Sequence, residues 1–246
     1  MIQNYKFLLT FDGSRYFGWE RQQNTDMTIQ GKIESVLERM TETPVELIAC
    51  GRTDAGVHAK GMVANAKFES KLSPSEICDY MNHYLPEDIC VQEVSVASER
   101  FHSRYNATGK TYCYTCYIGK GKPVFDRKYV YVVEQALNLE KMRKAAEYLM
   151  GEHDFASFCA NKKMKKSTVR IVDKIEIVQK GGYLYLSFHG NGFLHHMVRI
   201  LVGTLLEVGM GKRTPESMEA LLEAKNRAQA GVTAPAQGLC LMKVDY

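Results

Sequence analysis

The order of predicted strands and helices constrains the fold more than any other feature of this 246-residue chain. The helices are predicted from apolar residues at helical spacing and from a capping box that begins at Ser73. The strands are predicted from short runs of β-branched and aromatic residues. In chain order, the first half contains a strand at residues 5–11, a helix at 28–40, strands at 45–50 and 61–68, a helix that ends before Pro86, and a strand at 89–98. This β-α-β-β-α-β order is typical of a ferredoxin-like unit with an antiparallel sheet.

The second half repeats this order loosely. Its predicted elements are a strand at residues 111–118, a helix at 138–151, a hairpin at 169–190, a long helix at 193–208, a short helix that opens at Thr214, and a final strand at 238–246. No Pro/Ser-rich linker separates the halves. We therefore predict an α+β fold of two ferredoxin-like halves, residues 1–104 and 105–246, which share a mainly antiparallel sheet and have a cleft between them.

Several classes of protein lack their signatures in this sequence. No window approaches 18 consecutive apolar residues, and the first residues lack a basic segment followed by an apolar run. We therefore expect no membrane span and no export, and place the protein in the cytoplasm. The seven scattered cysteines favour reduced thiols over a disulfide framework. The glycine-rich motifs of dinucleotide and triphosphate sites and the G-x-S-x-G motif of hydrolases are absent.

The positive charges are concentrated in the second half, although the net charge is only +4. They cluster most densely in two segments, residues 119–128 (GKGKPVFDRK) and 161–170 (NKKMKKSTVR). Such segments either bind a polyanion or are ordinary solvated loops, and charge alone does not decide between the two.

Two pairs of potential metal ligands are disfavoured by their spacing, so we expect no metal. Cys113 and Cys116 lie in a predicted strand, where residues three apart face opposite sides of the sheet. His195 and His196 are adjacent at the predicted start of the long helix, where their side chains should diverge by about 100°. We interpret the two histidines as polar residues of a helix cap or a cleft.

The loop between Gly51 and Gly56 is the strongest candidate for chemistry. A glycine permits turns that other residues forbid, so Asp54 can project into a cleft instead of lying along a sheet. Arg52 and a second cation would then keep this carboxylate ionised, as a nucleophile or general base requires. The alternative is an Asx-turn, in which Asp54 binds nearby backbone amides and Arg52 is a surface charge.

The nine residues GRTDAGVHA, residues 51–59, resemble the signature of the TruA family of pseudouridine synthases. Five further blocks resemble this family in the expected order: FDGSRYFGW (11–19), RFHSRYNATGKTYCY (100–114), GEHDFASFCA (151–160), NGFLHHMVRILVGTLLEVGMGK (191–212) and TAPAQGLCLMKVDY (233–246). The resemblance therefore covers nearly the whole chain. One departure is Glu20, where the family pattern leads us to expect Gln.

The resemblance implies roles for five residues. Asp54 is implied as the nucleophile, and Arg52 as the side chain that enters the RNA stack when the target nucleotide leaves. Tyr112 is implied to pack on the target uracil, Arg199 to pair with the catalytic Asp, and Leu239 to form an apolar wall of the pocket.

The residues themselves leave some of these roles open. Tyr112 is equally a cross-strand aromatic partner, and Leu239 an ordinary core residue. Arg199 has independent support, because it follows His195 by four residues and would share its face on the predicted helix.

The activity implied by the resemblance is the isomerisation of uridine to pseudouridine in the anticodon stem-loop of transfer RNA, at positions 38–40, after the base is flipped out. This reaction has no redox change and no net hydrolysis, so no cofactor is expected. The family further implies a homodimer that binds one RNA with both subunits. Three alternatives stay open: another RNA such as ribosomal RNA, a non-catalytic RRM-like RNA-binding protein, and a glycosidase, which lacks an obvious second carboxylate.

Overall fold

The computed structural model describes residues 1–161 and 164–246, which form two compact units. The first unit comprises Met1–Thr108 together with Cys240–Tyr246, and the second comprises Gly109–Leu239. Both units combine helices with predominantly antiparallel strands, which confirms the predicted α+β class. None of the helices in the described part of the chain has the length and apolar character needed to cross a membrane.

The first unit follows the predicted order of elements. Its elements are β1 (Gln3–Phe11), α1 (Ile29–Thr41), β2 (Ile48–Ala49), β3 (His58–Phe68), α2 (Pro74–Tyr84) and β4 (Ile89–Ala97). Strand β1 lies between β3 and β4 and is antiparallel to both. Alternate residues of β1, among them Phe7 and Leu9, are fully buried and form the core with the apolar face of α1.

Local signals account for the two helices of this unit. The Thr28 hydroxyl accepts a hydrogen bond from the Gly31 amide at the start of α1. The predicted capping box is present at α2, where Ser73 Oγ accepts from the Glu76 amide and the Glu76 carboxylate accepts from the Ser73 amide. Each cap satisfies helix amides that would otherwise lack a partner.

The strand predicted at residues 45–50 is shorter than expected, because only Ile48 and Ala49 pair with β3. The Leu47 amide donates instead to Glu34 Oε1 of α1, at 3.0 Å. The buried Glu34 carboxylate thus replaces the backbone carbonyl that would accept from Leu47 in a longer strand.

The second unit contains β5 (Gly109–Tyr117), β6 (Tyr131–Val132), α3 (Leu139–Tyr148), β7 (Gly151–Asp154), β8 (Val169–Lys180), β9 (Tyr183–Gly190), α4 (Met197–Gly209) and α5 (Ser217–Ala224). Its antiparallel strand order is β5-β9-β8-β7, and β6 pairs in parallel with β5. Cys113 and Cys116 both lie on β5, and burial raises the pKa of Cys116 to about 12.

The long helix begins at Met197, four residues later than predicted. His196, which precedes it, has a left-handed conformation with φ of +60°, and an α-helix cannot include such a residue. His195 is therefore outside the helix. The argument that Arg199 and His195 share a helix face is wrong for this reason.

The final strand, β10 (Leu239–Asp245), pairs in parallel with β3, with Cys240 opposite His58 and Leu241 opposite Ala59. This pairing explains why residues 240–246 group with the first unit, whereas the sequence analysis placed them in the second half.

Candidate active site

The loop that carries Asp54 connects β2 to β3 and is held by its own main chain. The Cys50 amide donates to the Val63 carbonyl at 2.8 Å, and the Val57 amide donates to the Asp54 carbonyl at 3.1 Å. Gly56 lies inside the resulting turn with φ of +79°. Asp54 is half-buried at the beginning of this turn, and Arg52 is exposed.

A second segment, residues 11–19, supports this loop from its other side. The Trp19 amide donates to the Thr53 carbonyl at 3.0 Å, and the Gly56 amide donates to the Tyr16 carbonyl at 3.3 Å. Gly18 has φ of +97°, and a Cβ atom there would lie 2.7 Å from the Thr53 carbonyl oxygen. Only glycine satisfies both the backbone angle and the close approach.

Two polar side chains fix this supporting segment. The Tyr16 hydroxyl donates to Asp88 Oδ1 at 2.6 Å. Burial, reinforced by this bond, raises the pKa of Tyr16 to about 12, so the ring stays neutral. The buried His58 accepts a hydrogen bond from the Gly13 amide at 3.1 Å. Neither residue was predicted to have a role, although both lie within the blocks that resemble the family.

Thr53 is a buried residue directly before Asp54, and its two polar groups differ. Its carbonyl accepts from Trp19, but its hydroxyl oxygen has no hydrogen-bond partner among the described residues. A buried hydroxyl without a partner costs about 1–3 kcal/mol. The loop therefore keeps, next to Asp54, a polar group that the rest of the fold does not use.

Arg52 forms an ion pair with Glu20, with 2.5 Å between Nη2 and Oε1. Both side chains are largely exposed. Arg52 was predicted to hold the Asp54 carboxylate ionised, but its guanidinium pairs with the Glu20 carboxylate. Glu20 is also the position that departs from the family pattern.

Tyr112 lies on β5 opposite Phe188 of β9 and is half-buried. Its ring contacts that of Phe193, in the loop before α4. The two ring centroids are 5.3 Å apart and the planes meet at 85°, an edge-to-face contact.

Arg199 and Tyr114 anchor the segment that leads to Leu239. Arg199 Nε donates to the Ala234 carbonyl at 2.8 Å, and the Arg199 carbonyl accepts from the Ala234 amide at 3.1 Å. The Tyr114 hydroxyl donates to the Pro235 carbonyl at 2.8 Å, and burial raises the pKa of Tyr114. Leu239 follows this segment and is 6% exposed, as expected of a pocket wall and of a core residue alike.

The histidine pair differs from the prediction. The centroids of the His195 and His196 rings are 3.8 Å apart, and the ring planes meet at 34°. The predicted divergence of about 100° is wrong, because it assumed a helix that begins only at Met197.

The basic segment at residues 161–170 is described in part. Lys162 and Lys163 lie outside the described residues, so for them the choice between polyanion binding and a solvated loop stays open. Lys165 and Lys166 are exposed.

The five predicted site residues divide between the two units. The first unit holds Arg52 and Asp54 on one backbone-fixed loop, and the second holds Tyr112, Arg199 and Leu239. A half-exposed carboxylate on such a loop can act as a nucleophile or a base without rearrangement of the main chain.

An α+β chain with this loop has the organisation of a pseudouridine synthase, a class of isomerases. A family model described as tRNA pseudouridine synthase matches residues 8–106 and 145–246. The chain belongs to the tRNA pseudouridine synthase family, as its sequence motifs implied.

Curated relatives of the full length bear the same name. The chain is 44% identical to "tRNA pseudouridine synthase A 2" of Bacillus cereus. It is 45% identical to "tRNA pseudouridine synthase A" of a Bacillus species and 45% identical to "tRNA pseudouridine synthase A 1" of Clostridium tetani. Each alignment covers 100% of both chains.

A solved structure described as "Crystal Structure of a Cbf5-Nop10-Gar1 Complex" matches with 11% identity and a TM-score of 0.39. The match covers 97% of this chain and 49% of that one. This likeness is too distant to bear on the function of the chain.

Proposed function

We propose that this protein isomerises uridine to pseudouridine at positions 38–40 of the anticodon stem-loop of transfer RNA, with Asp54 as the nucleophile. The observation that carries the proposal is the GRTDAGVHA loop, whose main chain is fixed on both flanks while the Asp54 carboxylate stays half-exposed. The family supports transfer RNA as the substrate. The positions and the roles of individual residues rest on the resemblance of the motifs.

The reaction exchanges one bond of the base for another. The bond between N1 and C1′ breaks, a bond between C5 and C1′ forms, C5 loses its proton, and N1 gains one. Asp54 acts covalently either at C1′ of the ribose or at C6 of the base. No electron is transferred and no water is consumed, so the residues of the chain suffice for the proposed chemistry.

The target base must leave the RNA stack before Asp54 can reach it, which costs a few kcal/mol. Arg52 is the proposed replacement for the base in the stack, and Tyr112 the proposed stacking partner. An aromatic stack on a base is worth about 1–3 kcal/mol. Because Phe193 already restrains the Tyr112 ring, little further rotamer entropy is lost when the ring binds uracil.

Arg199 is the proposed counter-ion of the catalytic carboxylate. Its Nε donates to the Ala234 carbonyl, which restrains the orientation of the planar guanidinium. Leu239 is the proposed apolar wall against the uracil. The proposal includes a homodimer, because the resemblance to the family implies one RNA bound by both subunits. It also places the protein in the cytoplasm.

The test is release of tritium from transfer RNA that carries the label at C5 of uridine. We expect release from transcripts of the natural sequence and none after cytidine replaces uridine at positions 38–40. Release from ribosomal RNA fragments alone would show that the substrate is ribosomal RNA and not transfer RNA. Tight binding without release from any RNA would favour the non-catalytic alternative.

A further inference from the structure

The loop between β5 and β6, residues 119–129, exposes large apolar side chains that the proposed chemistry does not use. We call residues 119–129 the basic loop. Phe125 is 91% exposed and the adjacent Val124 is 59% exposed. Burial of a phenylalanine is favourable, so an almost fully exposed one next to a second apolar residue indicates a surface that binds something.

The backbone of the basic loop is anchored at several points. The Tyr117 hydroxyl donates to the Lys120 carbonyl at 2.8 Å, and the Tyr183 hydroxyl donates to the Asp126 carboxylate at 2.5 Å. The Tyr129 amide donates to the Asp126 carbonyl at 2.8 Å. These bonds fix the main chain on both sides of Phe125, so its ring is presented on a preorganised support.

The charges around Phe125 are almost all positive. The basic loop carries four cations, Lys120, Lys122, Arg127 and Lys128. Its one acidic residue, Asp126, accepts a hydrogen bond from Tyr183. Within residues 1–161 and 164–246, no acidic side chain forms an ion pair with any of the three lysines.

We propose that the basic loop is a second RNA-binding surface, in which Phe125 stacks on an unpaired base and the surrounding cations contact phosphates. An aromatic ring among cations is the combination that binds single-stranded or looped RNA. The inference rests on the proposed function for the identity of the RNA, which is the transfer RNA substrate. The base in question is a nucleotide other than the target uridine.

Charge favours RNA over a second copy of the chain as the occupant. A symmetric dimer contact through the basic loop would bring the same cations of both copies together. The repulsion would then oppose the apolar gain from Phe125. A phosphate backbone neutralises these cations instead and releases counterions.

The test compares variants by their affinity for unmodified transfer RNA. We expect Phe125→Ala to weaken binding about 5- to 160-fold, because the stack is lost, and Phe125→Tyr to bind within about twofold of the wild type. The matched control is Val178→Ala, which truncates another exposed apolar residue of the same unit and should leave affinity unchanged. Lys128→Gln should reduce the dependence of log K on log salt by about 0.7–0.9.

Binding and chemistry are read separately, so failure of this inference differs from failure of the proposed function. Tritium release by Phe125→Ala at saturating transfer RNA should equal that of the wild type. If no variant and no wild type releases tritium, the binding series still tests the basic loop. Wild-type affinity of Phe125→Ala would overturn the inference, as would a change of that variant from dimer to monomer, which would assign the loop to a second copy.

Discussion

Replacement of Glu20 by Gln should tighten the binding of transfer RNA. In the proposed function Arg52 enters the RNA stack, yet in the structure its guanidinium is paired with Glu20 at 2.5 Å. The pair must break before Arg52 can contact RNA. Glu20 therefore competes with the substrate for the same cation.

The magnitude follows from the exposure of the pair. The side chains of Arg52 and Glu20 are 64% and 50% exposed, so solvent screens their attraction. Exposed ion pairs are worth about 0.2–1 kcal/mol, which corresponds to an affinity gain of about 1.4- to 5-fold when the competitor is removed. The stability of the folded chain should fall by less than about 1 kcal/mol. One more available cation should also make the slope of log K against log salt steeper by about 0.7–0.9.

The assay is fluorescence anisotropy of labelled transfer RNA over a range of salt, in an Asp54→Asn background so that the RNA is not converted. Glu216→Gln is the matched control, because Glu216 pairs with Lys144 at 2.6 Å with similar exposures of 51% and 57%. The control should change neither affinity nor salt dependence. If Arg52 carries the effect, Glu20→Gln should add little in an Arg52→Gln background. Weaker binding by Glu20→Gln, or an undiminished gain without Arg52, would refute the reasoning.

Three further variants test how the fold supports the loop. Gly18→Ala places a Cβ atom 2.7 Å from the Thr53 carbonyl oxygen at a positive φ, so tritium release should fall about 10- to 100-fold. The control is Gly211→Ala, where φ is also positive but the space is open, and it should keep full release. Thr53→Val removes the unpartnered buried hydroxyl, so the free energy of unfolding should stay equal or rise by about 1–3 kcal/mol. Tritium release by this variant should fall. A loss of stability in denaturant titration would contradict the expected stability. Ser73→Ala breaks the capping box of α2 and should cost about 0.5–2 kcal/mol in the same titration with no change in release.

The elements of the first unit could be predicted because their signals are local. The alternation of β1, the spacing of apolar residues in α1 and the capping box at Ser73 each act within a few residues. The strand at β2 was predicted but its short length was not, because the bond between the Leu47 amide and the Glu34 carboxylate depends on how α1 packs beside it.

The start of α4 shows a different limit. The apolar pattern continues back to Phe193, but the left-handed conformation of His196 ends the helix there. Histidine is enriched in this conformation, but only a few per cent of non-glycine residues adopt it, so the sequence does not single out His196. The grouping of residues 240–246 with the first unit likewise depends on pairing with β3, which spacing along the chain cannot reveal.

The candidate site was predictable in its loop and less so in its contacts. The glycines around Asp54 indicated a tight turn, and the Val57 amide does close one on the Asp54 carbonyl. The ion pair between Arg52 and Glu20 was missed, because two exposed side chains select their partner by geometry in the folded chain. The edge contact of Tyr112 with Phe193 was missed because Phe193 was assigned to a helix.

The central claim is that the carboxylate of Asp54 attacks the flipped-out nucleoside, and a two-variant comparison tests it most directly. Asp54→Asn keeps the shape of the side chain without its charge, and Asp54→Glu keeps the charge but displaces it. Asp79→Asn, on the exposed face of α2, is the control. We expect both Asp54 variants to bind transfer RNA within about tenfold of the wild type. Tritium release should be abolished in Asp54→Asn and fall about 100-fold or more in Asp54→Glu. Wild-type release by Asp54→Asn would contradict the account.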